Sequence, residues 1–387
     1  MPEQALLESD AYADRIRDVL ASRTSEDGGA DGGADAARQL WRALGSAGVL
    51  RDLYLPAASR EPIMLSPCLS KLEALLTALD SSCPMGLTLS VCVQVATIIP
   101  ALSAAVPGSP ARRTQASALA GEVVGAFAAT DAGAAGSDLT ALTTAVAVQD
   151  TVLRLTGGKR WIVNATIADY AVVLARHRPG PHFTSFTQVL VPTRSPGVRA
   201  EAACTSLLAG SGVGHLRFSG VELGRDHVIG RTGQGLPSFA DQAATERVAG
   251  ALWANALARR VLSATYEHLN GRILGGRRLW DNDAIRQRFA RSLLEQQRLQ
   301  ALCRRPYPPG ASRSQQLLSA MLVKAAAATS LDAVLADCAQ LEGAEGFRDD
   351  GLQLLRAEAA MFAIAGGTTE TMLAGIADHA ADLLRTP

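Results

Sequence analysis

The chain has 387 residues, 48% of them apolar, and its 37 basic side chains are balanced by 37 acidic ones. That length exceeds the usual ceiling for one hydrophobic core, and the apolar content excludes a disordered protein. The even charge gives no net field for nucleic acid or an anionic membrane, so neither is expected as a partner.

Residues up to about Leu119 read as helical, in segments Ala5–Ser22, Ala36–Gly48, Cys68–Leu79 and an apolar stretch from Met85. Between the first two, TSEDGGADGGADA reads as a flexible insertion. The run from Met85 to Val106 is the one membrane-like stretch, but Gln94 and Pro100 interrupt it. Its unbroken part falls short of the ~20 apolar residues a span needs, so a buried core helix is expected. The N-terminus, MPEQALLESD, is acidic and does not read as a secretory signal. Six cysteines lie scattered without CxxC spacing, which disfavours a metal cluster or a disulfide framework and fits reduced thiols in a cytoplasmic protein.

From Glu122 to Gly230 the pattern changes to short β-type runs: EVVGAFAAT, AVAVQDTVLRLTG, ADYAVVLAR, FTQVLVP and GHLRFSGVEL. No helix-length pattern separates them, so an antiparallel sheet is expected. GSGVG at 210–214 leads into a strand and cannot be a dinucleotide-binding phosphate loop. From Leu236 onward long Ala/Leu/Arg/Gln-rich segments, broken at RILGGRR, RRPYPPGAS and LEGAEGFRDDG, suggest a helical bundle. The expected organisation is therefore a helical domain over 1–120, a β-domain over 121–234 and a bundle over 235–387.

Two segments carry candidate chemistry. AFAATDAGAAGSD (126–138) combines small residues, which let backbone approach a ligand, with Thr130 and Ser137 as hydrogen-bonding side chains. Taken alone it reads more plainly as a solvent loop. In GGKRWIVNATIADYAVVLAR (157–176) a Gly-Gly turn is expected to project Lys159 and Arg160 outward, with Trp161 opening a strand. Trp161 could wall a flat aromatic cofactor, although a core role is the commoner fate of such a residue. The histidines show no metal spacing; His215 lies just before a strand.

Together these segments resemble the acyl-CoA dehydrogenase family, whose corresponding motifs read [FY]xxTEPxAGSD and GxKxWITNxxxAD. PTRSPGV (192–198) with SGVGHLRFSGVEL (211–223), the spacing of Arg272, Gly276, Leu279 and Ala290, QLEGAEGF (340–347) and GGTTE (366–370) extend the match in order. In the N-terminal part only LWRALGSAGVL matches. The resemblance implies an α+β multidomain fold: a helical domain, an antiparallel β-domain and a four-helix bundle, with FAD at their junction. It implies that Phe127, Thr130 and Ser137 line the flavin and a thioester, that Trp161 covers a flavin face, and that Val163 lies near N5. Arg272, Gln340 and Gly343 would meet the FAD of a neighbouring subunit, which implies a homodimer or homotetramer. Thr368 and Glu370 would approach the cofactor, while Ser137, Arg247, Gly366 and Gly367 would lie beside the substrate. No metal is implied.

The family's reaction removes an α-proton with a carboxylate while hydride passes from Cβ to the flavin. Many members place that carboxylate where this chain has Gly366; another subset places it in the first bundle helix, where ATERVAG offers Glu246. Independently of the resemblance, Phe239, Ala243, Glu246, Gly250, Trp253 and Leu257 recur at four- and three-residue intervals on one apolar helix face. A carboxylate there is costly unless it is paired or functional. A surface Glu favoured by the helix dipole, or a buried structural pair, are the plainer alternatives. WIVN in place of WITN removes a hydroxyl at Val163, one alanine is extra at Ala134 or Ala135, and Asp131 stands where Glu is usual. The expected activity is dehydrogenation of an acyl thioester on coenzyme A or on a carrier protein. A flavin oxidase or monooxygenase, and a catalytically silent member, are the alternatives.

Overall fold

Apolar residues three and four apart build the helices that open the chain. The computed structural model describes residues 2–26, 34–54, 65–133, 136–307 and 310–385. The glycine-rich insertion at 27–33 and the alanines Ala134 and Ala135 lie outside them. The chain folds as two units, Met1–Glu246 and Arg247–Pro387. In the first, α1 (Pro2–Glu26), α2 (Ala34–Ser46), α3 (Val49–Asp52), α4 (Leu69–Ser82), α5 (Met85–Val93), α6 (Ile99–Ser103) and α7 (Pro110–Leu119) precede the sheet. On α2 the buried set is Ala37, Leu40, Trp41 and Leu44; on α4 it is Leu72, Leu75, Leu76 and Leu79. Each set is one stripe of a 3.6-residue period.

The run from Met85 to Ser103 is a continuous helical rod whose apolar window is wholly buried inside the protein. It is not the one membrane-like stretch, however: the runs Arg313–Phe347 and Leu352–Asp378 are also long and apolar enough by composition. The Met85 rod is not regular. Gln94–Ile98 form a π-turn immediately before Pro100. Proline offers no N–H to the carbonyl four residues back and its ring crowds that carbonyl, so a wider turn relieves the clash. Side chains satisfy the loosened backbone: the Tyr54 hydroxyl donates to Val95 O at 2.6 Å and Gln115 Nε2 to Ile99 O at 3.2 Å.

The sheet has strands β1 (Gly125–Ala128), β2 (Ala145–Val148), β3 (Val152–Ile162), β4 (Tyr170–Arg176), β5 (Phe186–Pro192), β6 (Val198–Ala202), β7 (Gly214–Gly224) and β8 (Val228–Ile229). Their order is β6-β7-β3-β2-β4-β5-β8, with β1 also beside β4. Most pairs are antiparallel, but β1 and β2 run parallel to β4. Leu153, Leu155, Val173, Val189, Val191, Leu216, Phe218 and Val221 are among the residues that fill its core. Helices and sheet are stapled by polar contacts. Arg38 of α2 forks onto Asp169, both bonds at 3.0 Å, while Val124 N–H donates to the same carboxylate at 2.9 Å. Trp41 Nε1–H donates to Val123 O at 3.0 Å.

The helix α8 (Gly235–Gly271) follows the sheet. In the second unit a two-stranded hairpin, β9 (Ile273–Leu274) and β10 (Arg277–Arg278), turns at Gly275 and Gly276, both at positive φ, as a tight hairpin requires. Helices α9 (Asp283–Arg304) and α10 (Arg313–Glu342) follow. The expected fourth bundle helix is not continuous. It is divided into α11 (Leu352–Ala359), α12 (Met361–Ile364), α13 (Thr369–Asp378) and α14 (Ala380–Arg385), with Gly366 and Gly367 at φ 70° and 100° between α12 and α13. Trp253 packs edge-on against Phe362, ring centroids 4.9 Å apart.

Candidate active site

The two segments singled out in the sequence lie side by side. The loop after β1 meets the end of β3 through backbone bonds: Ala132 N–H to Gly158 O and Arg160 N–H to Thr130 O, both 3.0 Å. The expected outward turn at Gly157–Gly158 does not form. Both glycines lie within β3, and a Cβ at Gly157 would sit 2.6 Å from Thr144 Cα, so the glycine serves a close strand approach. Arg160 is exposed, as expected, but Lys159 is wholly buried. Trp161 lies at the end of β3, not at the start of a strand.

Lys159 Nζ stands 2.5 Å from Asp131 Oδ1 and donates to Ala129 O at 2.7 Å. Asp131 also accepts from Thr144 N–H and Thr144 Oγ1–H at 2.8 Å each, from Thr143 Oγ1–H at 2.9 Å, and from Thr143 N–H. Burial alone would raise the Asp131 carboxyl, but the ammonium and these donors outweigh it and hold it below the ordinary carboxylate range. Burial pulls Lys159 down to about 8 against the opposing pull of Asp131. The pair fastens the first loop over the second strand.

Beyond Lys159 the β3–β7 ladder is broken. Lys159 faces Leu216 and Ile162 faces Gly214, so Arg160 and Trp161 together oppose His215. Trp161 has φ 55°, an uncommon backbone for a residue with a side chain, and the residue is 56% exposed. A β-bulge of this kind re-aims a side chain. Three residues on, Asn164 is also left-handed, at φ 65°, and buried. It accepts from Ser90 Oγ–H at 2.6 Å and donates through Nδ2 to Gly125 O at 3.1 Å. Asn164 thus joins α5 to β1, a role not read from the WIVN motif. Phe127 is half-buried and stacks on Phe239 with centroids 6.0 Å apart. Val163 and Thr130 are half-buried and Ser137 is exposed.

Glu246 is half-buried on α8, in the same stripe as buried Ala243. Thr97 Oγ1, in the π-turn, donates to Glu246 Oε2 at 3.3 Å. Burial, with the Glu246 carboxylate adding to it, pushes the Cys92 thiol up to about 12. Sequence periodicity found Glu246 but not Thr97, because a π-turn breaks the 3.6-residue count. Gln94, which opens that turn, accepts Gly125 N–H at 3.1 Å and ties it to β1.

In the second unit Arg247 Nε–H donates to Gly366 O at 2.9 Å, bracing the double-glycine turn. A side chain at Gly366 would need left-handed backbone, and a Cβ at Gly367 would lie 2.7 Å from Met372 Cε. Thr368 caps α13 by accepting Thr371 N–H, and Glu370 is exposed in its first turn. Backbone N–H and the Thr368 hydroxyl hold the Glu370 carboxyl below its usual value. Elsewhere in this unit Arg260, His268, Arg272, Glu342, Glu345 and Arg348 are among the residues lining a cleft of about 890 Å³. Arg272 pairs with Glu345 at 3.6 Å, and His268 Nε2 is buried without a hydrogen-bond partner. Gly343, at φ 64°, ends α10, while Gln340 is exposed on that helix and is not among the residues lining the cleft.

Helices, then a mostly antiparallel sheet carrying two pinned loops, then a second helical unit define the class of protein. Residues 126–221 match the acyl-CoA dehydrogenase middle domain and residues 233–381 the acyl-CoA dehydrogenase C-terminal domain. The chain belongs to the acyl-CoA dehydrogenase family. It is 28% identical over 264 residues to an acyl-[acyl-carrier-protein] dehydrogenase, MbtN, from Mycobacterium sp. (strain MCS), covering 66% of this chain and 65% of that one. It thus spans a little under two thirds of that relative's length. Its fold is that of a glutaryl-CoA dehydrogenase from Mycobacterium smegmatis solved with FADH2 (TM-score 0.82, 20% identity, 97% of this chain and 95% of that one). Butyryl-CoA dehydrogenase from Megasphaera elsdenii is equally similar in fold (TM-score 0.83, 18% identity, 97% and 98%).

Proposed function

We propose that the chain is an FAD-dependent dehydrogenase of an acyl thioester, with Glu246 as the base that takes the α-proton. The observation that carries this is a half-buried carboxylate on an otherwise apolar helix stripe, met by Thr97 from a π-turn. Bound FAD supplies the acceptor for the hydride that leaves Cβ. The substrate loses one proton to Glu246 and one hydride, which leaves an α,β-unsaturated thioester. The residues present suit such a cofactor. Trp161 offers an exposed aromatic face on a strained bulge, beside a loop whose backbone is fixed by the Asp131–Lys159 pair. The cleft with Arg260, Arg272, Arg348 and the unpartnered His268 nitrogen suits a pyrophosphate and adenosine, with Arg272 leaving Glu345 to meet it.

Glu246 replaces a base at position 366, where the left-handed glycine pair braced by Arg247 disfavours any side chain. The name of the relative MbtN supports a carrier-protein thioester, and relatives named as acyl-CoA dehydrogenases support a coenzyme A ester, so the carrier is left to the titration below. Exposed Leu293, Leu294, Leu302, Phe347, Ile364 and Leu373 in the second unit support burial against further copies of the chain, as a dimer or tetramer. A cytoplasmic location belongs to the same reading.

Purified protein is expected to show a flavin visible spectrum and to bleach without oxygen when titrated with acyl thioesters. Parallel titrations on coenzyme A and on carrier protein identify the carrier. Protein that cannot take up FAD would falsify the proposal, and product that forms only with oxygen would replace dehydrogenation by an oxidase reaction.

A further inference from the structure

We propose that His215 is a positioning residue that holds Trp161 in its left-handed conformation and thereby fixes the indole plane presented to the flavin. The inference rests on the flavin reading above, but its structural half stands on the bulge alone. At the bulge, β3 contributes two residues where β7 contributes one, so the ladder on that side lacks a carbonyl for Trp161 N–H. The His215 side chain fills the gap: Trp161 N–H donates to His215 Nδ1 at 3.2 Å. The flanking backbone is held differently, with Arg160 N–H on Thr130 O and Asn164 N–H on Ser211 O. Trp161 N–H therefore depends on a side chain where its neighbours depend on main chain.

The same imidazole meets the indole edge-on, ring centroids 5.6 Å apart and planes at 85°. His215 thus touches both the backbone and the ring of Trp161, and the bond to the backbone is the contact that sets the ring angle. Because Nδ1 accepts, the bonded ring is the neutral form with its proton on Nε2. A left-handed backbone is unfavourable for tryptophan, and the surroundings must offset that strain for the bulge to persist.

Two replacements separate the acceptor from the ring. His215→Phe keeps an aromatic edge and removes the acceptor; His215→Asn places Oδ1 close to where Nδ1 stood and removes the ring. In flavin-free full-length protein the near-ultraviolet circular dichroism band of Trp161, defined by difference against Trp161→Phe, is expected to collapse in His215→Phe and to survive in His215→Asn. In FAD-loaded protein His215→Phe is expected to alter the visible circular dichroism and weaken FAD binding roughly three- to tenfold, with His215→Asn within about twofold of the parent. His215→Leu serves if the phenylalanine variant does not fold. A Trp161 band unchanged in His215→Phe, or lost equally in both variants, overturns the proposal. Failure of the parent protein to bind FAD sinks the flavin reading while the indole band still decides the role of His215.

Discussion

Glu246→Gln is expected to yield folded protein that still binds FAD but whose flavin reduction by thioester slows by about 10²–10⁴-fold, the usual share of a general base. Glutamine keeps the length of the side chain and an oxygen for the Thr97 hydroxyl, 3.3 Å from Oε2, so packing should hardly change. What is lost is the ability to take a proton. The thiol of Cys92 cannot substitute, because burial, the larger of the two causes that raise it in the parent, persists when the carboxylate is gone. Glu246→Asp should retain part of the rate, since the carboxylate remains but is withdrawn by one methylene. Stopped-flow absorbance without oxygen reads all three proteins. A glutamine variant reducing its flavin at the parent rate moves the base elsewhere.

The second large effect is on stability. Asp131→Asn should cost ~3–5 kcal/mol, because the wholly buried Lys159 ammonium loses its counter-charge. For a unit of this size that is a fall in Tm of roughly 6–20 °C. The pH dependence follows from the directions of the two shifts. Asp131 is held below its unfolded value, so its contribution is present above about pH 4 and disappears as pH falls through the lower folded value. Lys159 is lowered to about 8, so its burial costs stability at lower pH and that cost is relieved as pH rises from about 8 toward the unfolded value near 10.4. In Asp131→Asn the lysine should fall further, and the variant should recover stability on going from pH 6 to pH 9 more than the parent does. Thermal melts across that range decide it. FAD affinity should fall with stability, because the pair fastens the loop that carries Thr130. Adding Lys159→Met to Asp131→Asn should recover much of the lost stability, which a purely local loop defect would not allow.

What could be read beforehand depended on period. The stripes of α2 and α4 obey the 3.6-residue count, and the short β-runs obey alternation, so architecture was legible. Lys159 was misplaced because two glycines read as a turn signal, whereas Gly157 is needed where β3 approaches Thr144. Alternation along β3 could have turned Lys159 inward, and the acidic partner at Asp131 could have satisfied it. The π-turn had no signature beyond Pro100, so Thr97 went unseen although Glu246 was found. The division of the last bundle helix was written in Gly366 and Gly367, which were read as substrate-side positions and, at Gly366, as a missing base, but not as a helix break. His215 was noted by place alone; nothing in one sequence marks a histidine as the acceptor for a bulge.

The fork from Arg38 to Asp169 also limits how this protein can be recombined. Its halves lie 131 positions apart, on either side of the point where helical sequence gives way to strands. A chimera spliced there with a relative's leading segment inherits the carboxylate without its guanidinium unless both are carried across. Exchangeable modules in this chain are bounded by such matched pairs rather than by the visible change from helix to strand.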